Sequence, residues 1–186
     1  MKFLHEKRIK ESIEKSIETI LSCTSIIDEI EKSIQIIIDS IMQGNKVVLF
    51  GNGGSAADAQ HFAAELIGRF NIERKSFPAL ALTTDSSILT SLSNDYSFEI
   101  VFSRQCESLV NKGDVSIGIS TSGNSQNVLM GLKTSQEKGA TTIALLGNDG
   151  GIIKDNVNVA LIVNSSSTAR IQEAHRTIYH IICENV

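Results

Sequence analysis

The segment KVVLFGNGGSAADAQHFAAEL, residues 46–66, joins a short apolar run to an alanine-rich stretch through three glycines. A run rich in Val and Leu is typical of a buried strand, and alanine strongly favours helix. Gly51-x-Gly53-x-x-Ala56 fits the glycine fingerprint of dinucleotide-binding units, in which glycines let a ligand approach the backbone. The segment therefore predicts a strand, a tight turn and a helix.

The same alternation continues along the chain. Apolar runs alternate with helical stretches, and these runs are KVVLFG, ALALTT, DVSIGIS, TTIALLG and NVALIVN. They predict an α/β fold, a doubly wound, Rossmann-like five-stranded parallel sheet flanked by helices. Open parallel sheets bind ligands beyond the carboxyl ends of their strands. We therefore expect function at residues 51–55, 83–86, 120–125 and 147–151.

The region before this sheet predicts a pair of helices. Isoleucines recur at one-face helical spacing over residues 9–42, with a break near Cys23–Ser25. Two isoleucine-rich helices offer more apolar surface than one small sheet needs. We expect one domain over residues 1–186, in which residues 1–44 pack between subunits and residues 45–186 form the α/β core.

The composition of the chain limits the classes of ligand and partner that we expect it to bind. The net charge of −4 and the lack of a Lys/Arg cluster argue against a nucleic-acid partner. Because no apolar run approaches the ~18 residues of a membrane span and the first ten residues are charged throughout, we expect a cytoplasmic protein without a membrane partner. Three cysteines without CxxC spacing suit reduced thiols. A small-molecule ligand is the remaining expectation.

The glycine turn lacks what a dinucleotide site needs. Such a site has an Asp or Glu about 20 residues past the first glycines, at the end of the second strand. Glu73 precedes that strand and Asp85 lies well beyond the distance. His61 and Glu65 also occupy a helix that is usually apolar in such sites. The dinucleotide interpretation is disfavoured, whereas a tight turn with no ligand stays open.

The loop ISTSGNSQN, residues 119–127, follows the third predicted strand. Ser120, Thr121, Ser122 and Ser125 place hydroxyls beside free N–H groups at a helix start, which is a favourable site for an anion. The loop contains no Lys, so a phosphomonoester fits better than a nucleoside triphosphate. Simple helix capping is the alternative.

Two helices carry candidate polar groups. His61 and Glu65, at i and i+4, share one helix face, as two metal ligands or a base and its partner would. The last helix, TARIQEAHRTIYHII, contains Gln172, His175, Arg176, Tyr179 and His180. A surface ion pair and a solvated helix face are the alternatives.

In combination, these motifs resemble one known family. SAADAQHFAAEL after GNGG, NDYSF at 94–98, STSGNS at 120–125 and RIQEAH followed by His180 resemble the phosphoheptose isomerases of the sugar-isomerase (SIS) domain superfamily, over essentially the whole chain. The resemblance implies the SIS fold, a homotetramer, and interconversion of sedoheptulose 7-phosphate and D-glycero-D-manno-heptose 7-phosphate through an enediol.

The resemblance also implies roles for individual residues. Substrate would contact Asn52, Gly53, Gly54, Asn94, Asp95 and the hydroxyls of Ser120, Thr121, Ser122 and Ser125. One zinc ion per subunit would be bound by His61, Glu65, Gln172 and His180, of which Glu65 and Gln172 would also face substrate. Glu65 would be the catalytic base and His180 the acid. Because Gln172 and His180 lie about 12 Å apart along a helix, we expect the site to be completed at a subunit interface.

Two rival functions stay open. A non-catalytic SIS protein that assembles on a DNA-replication initiator would keep the fold without needing an acid/base pair. Glu65 and His180 are both present, which favours an enzyme. An isomerase of another phosphosugar is the second rival, because a phosphate loop does not identify the sugar.

Overall fold

The computed structural model describes residues 2–186 and contains one five-stranded parallel sheet. The strands are β1 Val47–Gly51, β2 Ala79–Ala81, β3 Val115–Ser120, β4 Thr141–Gly147 and β5 Val159–Val163, in the order β2-β1-β3-β4-β5. Each lies inside one of the five apolar runs, so the predicted parallel sheet is confirmed. The direction of winding reverses between β1 and β3, and open α/β sheets bind ligands at such a switch point.

Helices cover both faces of the sheet. They are α1 Lys2–Ser22, α2 Ile27–Met42, α3 Gly54–Ile67, α4 Ser86–Asp95, α5 Val101–Leu109, α6 Gln126–Glu137 and α7 Thr168–Asn185. Alternate residues of each strand face opposite sides. Leu49 and Ile117 pack in a core with α2, α3 and α7, whereas Val48 and Phe50 pack with α5 and α6. The sheet is doubly wound, as the sequence predicts.

The first two helices break where the sequence predicts. A 3-10 turn, Cys23–Ile26, separates α1 from α2. Ile9, Ile13, Ile17 and Leu21 are each more than half exposed and form an apolar stripe along α1. Among residues 2–186, no helix is long and apolar enough to cross a membrane.

Glycine allows β1 and β3 to end close together. A Cβ atom at Gly51 would lie 2.8 Å from the Ile119 carbonyl oxygen and 2.9 Å from Ser55 Cβ, which is closer than side chains tolerate. The ends of the two strands, and the loops that follow them, therefore lie side by side at the switch point.

Candidate functional site

The turn after β1 is shaped for close packing against α7. Gly53 has φ +55°, a backbone conformation that glycine adopts readily. Gly54 begins α3, and a Cβ atom there would collide with Nε2 of Gln172. Gln172 from the last helix therefore lies directly against the glycine turn, although the two residues are far apart in sequence.

Asn52 ties this turn to the loop after β3. Its side-chain amide donates to Asn127 Oδ1 at 2.8 Å and accepts from Asn127 Nδ2 at 2.9 Å. Asn127 also accepts at Oδ1 from the Val128 N–H. The sequence motif contained Asn127, at the first turn of α6, but its role depends on a partner 75 residues away. The reciprocal amide pair fixes the loops after β1 and β3 relative to each other.

The hydroxyls of residues 120–125, the hydroxyl loop after β3, lie close together. Ser120 Oγ lies 3.0 Å from Ser125 Oγ and 3.4 Å from Ser122 Oγ. Ser125 is the N-cap residue of α6 but makes no side-chain capping hydrogen bond, so capping does not explain its hydroxyl. Clustered hydroxyls beside a helix N-terminus offer donors that suit an anion such as a phosphate group.

A second glycine-rich loop supports the hydroxyl cluster. A Cβ atom at Gly123, where φ is +67°, would collide with the backbone of Gly150. Asn148 donates from Nδ2 to the Thr121 carbonyl oxygen at 3.0 Å. Residues 147–151, which the sequence placed at a strand end, thus pack against the hydroxyl loop and fix its shape.

Asn94 and Asp95 occupy the end of α4. Asn94 Nδ2 donates to Asp95 Oδ1 at 2.9 Å, and both side chains are exposed. Within residues 2–186, neither side chain forms a hydrogen bond with a predicted site residue outside this pair. Their part in substrate binding stays a prediction.

His61, Glu65 and His180 come together within one chain. His61 Nε2 lies 2.9 Å from Glu65 Oε1, and one candidate ligand atom from each of the three residues lies within 4.8 Å of the others. In the described part of the chain, Nε2 of His180 is buried and has no hydrogen-bond partner. Burial, followed by the neighbouring His61, lowers the pKa of His180 and favours the neutral imidazole. A buried imidazole lone pair beside a second histidine and a carboxylate fits a metal such as zinc.

Gln172 and His180 line the same cavity. This open cavity, of about 590 Å³, extends from Gly54 at the glycine turn to His180 and also borders Asp58 and Arg176. Two residues that are eight positions apart on α7 thus face one space. Completion of the site by another subunit is untested by these contacts and stays a prediction.

A polar network joins α3 to α7 behind His61. Tyr179 Oη lies 3.0 Å from His61 Nδ1, and Asp58 Oδ1 contacts both Tyr179 Oη at 3.4 Å and Arg176 at 3.2 Å. Burial raises the pKa of Tyr179 to about 12. From the sequence, Tyr179 and Arg176 are predicted only as polar groups of the last helix, and Asp58 is not predicted as a site residue. The available signal was its position on α3, three residues before His61 and at the same helical face.

Comparison with known proteins agrees with this geometry. A family model described as the SIS domain matches residues 9–147. A phosphoheptose isomerase of Citrifermentans bemidjiense is 57% identical over 84% of this chain and 82% of that protein. Another, from Clostridium acetobutylicum, is 50% identical over 100% of this chain and 94% of that protein. The solved phosphoheptose isomerase of Neisseria gonorrhoeae superposes with a TM-score of 0.91, at 40% identity and covering 96% of each chain.

Proposed function

Because this chain belongs to the phosphoheptose isomerases of the SIS-domain family, we propose that it interconverts sedoheptulose 7-phosphate and D-glycero-D-manno-heptose 7-phosphate. The observation that carries the proposal is the convergence of His61, Glu65 and His180, the last of which lines a cavity that reaches Gly54 of the glycine turn at the switch point. A carboxylate and an imidazole beside a bound sugar supply what an aldose–ketose isomerisation requires. The reaction is proton abstraction next to a carbonyl, through an enediol.

The phosphate of the substrate binds at the hydroxyl loop. Ser120, Ser122 and Ser125 direct hydroxyls toward one another, and the N-terminus of α6 adds free backbone N–H groups. This anchor leaves the carbonyl end of a sugar to extend past Asn52, Gly53 and Gly54. Gly53, whose Cβ position is open, gives the sugar close access to the backbone, which orients the reacting carbons.

Glu65 is the base and His180 the acid in this proposal. Glu65 Oε1 already faces His61, and its side chain is only 24% exposed, so water competes weakly for the carboxylate. It removes the proton from the carbon beside the carbonyl. His180, the other titratable group of the cluster, serves the substrate oxygens as the enediol forms.

Zinc is the metal that we propose for this cluster, one ion per subunit. His61, Glu65 and His180 would hold it, with Gln172 as a fourth ligand from the same cavity. When bound, zinc would polarise the carbonyl or stabilise the shape of the site. A histidine that coordinates a metal carries protons poorly, so His180 would bind the metal and transfer a proton at different times.

A homotetramer of single SIS domains, spanning residues 1–186, is the assembly that we propose. The support is the apolar stripe of Ile9, Ile13, Ile17 and Leu21 on α1. Such a stripe is more apolar surface than a helix of a monomer usually exposes. Packing of residues 1–44 between subunits would cover it and place the active site at an interface.

The direct test is to incubate the purified protein with sedoheptulose 7-phosphate and zinc and to follow the aldose product by NMR. We expect conversion by the wild type and none above background by Glu65→Gln. A folded, zinc-supplied wild type that leaves the ketose unchanged would contradict the proposed substrate. Parallel incubation with a pentose phosphate and a hexose phosphate distinguishes the heptose isomerase from an isomerase of another phosphosugar.

A further inference from the structure

Tyr179 occupies the centre of the network behind His61. Its side chain is fully buried, and its ring stacks on Phe62 with ring centroids 5.3 Å apart. Its hydroxyl contacts three groups, Arg176 Nε at 3.2 Å, His61 Nδ1 at 3.0 Å and Asp58 Oδ1 at 3.4 Å. The stacked ring holds the hydroxyl in one place, so these contacts form a fixed arrangement.

The donors and acceptors in this network restrict the direction of each hydrogen bond. The guanidinium of Arg176 has only donors, so its Nε–H donates to the Tyr179 oxygen. The carboxylate of Asp58 has only acceptors, so its contact at 3.4 Å is a hydrogen bond only if it takes the single hydroxyl proton of Tyr179. Tyr179 then has no proton left for His61. The contact at 3.0 Å is a hydrogen bond only if His61 Nδ1 carries the proton and donates it.

A proton on Nδ1 of His61 also determines the state of Nε2, the other nitrogen of the ring. In neutral His61, a proton on Nδ1 leaves the lone pair on Nε2, which faces Glu65 Oε1 at 2.9 Å. Two acceptors at this distance require a proton or a cation between them. We propose that Tyr179 and Asp58 are positioning residues, which hold His61 with Nδ1 protonated so that Nε2 binds a metal ion beside Glu65 and His180. This inference rests on the proposed zinc site.

The substitution Tyr179→Phe tests the inference. It keeps the buried ring and its stacking on Phe62 and removes only the hydroxyl. We expect the zinc Kd of the full-length protein, measured by competition with a chromogenic chelator, to rise roughly 10- to 100-fold, as for other outer-shell partners of metal ligands. Asp58→Asn should also raise the zinc Kd. Tyr96→Phe, at the only other tyrosine and 68% exposed, is the matched control and should leave the Kd unchanged.

Long-range ¹H–¹⁵N correlation of the histidine rings tests the same inference without metal or activity. In the metal-free wild type at neutral pH, His61 should carry a proton on Nδ1 that exchanges slowly with water, and this signal should disappear in Tyr179→Phe. A wild-type His61 protonated only at Nε2 would overturn the inference, as would equal zinc affinities of the wild type and Tyr179→Phe. A wild type that binds no zinc would contradict the zinc proposal, and the ring spectra alone would then decide on the positioning role.

Discussion

Gln172 lies so close to Gly54 that the glycine has no space for a side chain. In Gly54→Ala, the new methyl group would displace the Gln172 amide from the cavity that it shares with His180. We expect a fall in kcat/KM with little change in the unfolding midpoint, because only the flexible end of Gln172 has to move. Steady-state kinetics and thermal unfolding of the same preparation measure both quantities. Wild-type kcat/KM in this variant would mean that Gln172 is not needed at the glycine turn.

The hydroxyl loop is tested by Ser120→Ala. Ser120 is nearly fully buried and lies within 3.0 Å of Ser125 Oγ, so its loss would leave a substrate phosphate short of one donor. We expect substrate binding to weaken by roughly 1–3 kcal/mol, seen as a raised KM. Ser22→Ala, at the exposed end of α1, is the control. An unchanged KM in Ser120→Ala would exclude this loop from the phosphate site.

His175 makes folding stability depend on pH. It is fully buried and bonded through Nε2 to the Leu146 carbonyl oxygen at 3.0 Å. Burial lowers its pKa from 6.5 to about 4, against smaller raising effects of that hydrogen bond and of Asp58. Between these pH values the unfolded chain binds the proton and the folded chain does not, so the free energy of unfolding falls as pH decreases.

The resulting stabilisation should be fully present above pH 6.5 and lost progressively toward pH 4, by about 3 kcal/mol in total. Urea unfolding at pH 7 and pH 5 measures the part of this loss that falls above pH 5. His175→Gln should flatten the pH dependence, whereas His5→Gln, on the exposed surface of α1, should leave it as in the wild type. The same pH dependence in wild type and His175→Gln would assign the effect to other groups.

The elements of the fold that can be predicted from the sequence are those that depend on the local pattern of apolar residues. All five strands lie in mostly apolar runs, because parallel strands are largely buried on both faces. The 3-10 turn at Cys23–Ile26 interrupts a regular isoleucine spacing. The pairing of Asn52 with Asn127, and of Tyr179 with Asp58 and His61, joins residues 75 to 121 positions apart. The periodicity of a sequence indicates which face of a helix or strand a residue occupies. Its hydrogen-bond partners depend on how distant helices and loops pack together.

The apolar stripe on α1 predicts that copies of this chain assemble into an oligomer. A double substitution, Ile13→Glu with Ile17→Glu, places two charges on the stripe and should dissociate the tetramer in sedimentation velocity experiments, because burying an unpaired charge is costly. Lys15→Glu changes charge on the opposite side of α1 and should leave assembly intact. A wild type that sediments as a fully active monomer would contradict the proposed tetramer.

Solvent deuterium incorporation into the substrate shows whether Glu65 is the base. In D₂O, the wild type should exchange the hydrogen on the substrate carbon beside the carbonyl, and Glu65→Gln should do so ~10²- to 10⁴-fold more slowly, the usual contribution of one proton-transfer group. Sugar phosphate binding and thermal unfolding of Glu65→Gln check that the variant is folded and binds substrate. Exchange at the wild-type rate in that folded variant would show that another group removes the proton.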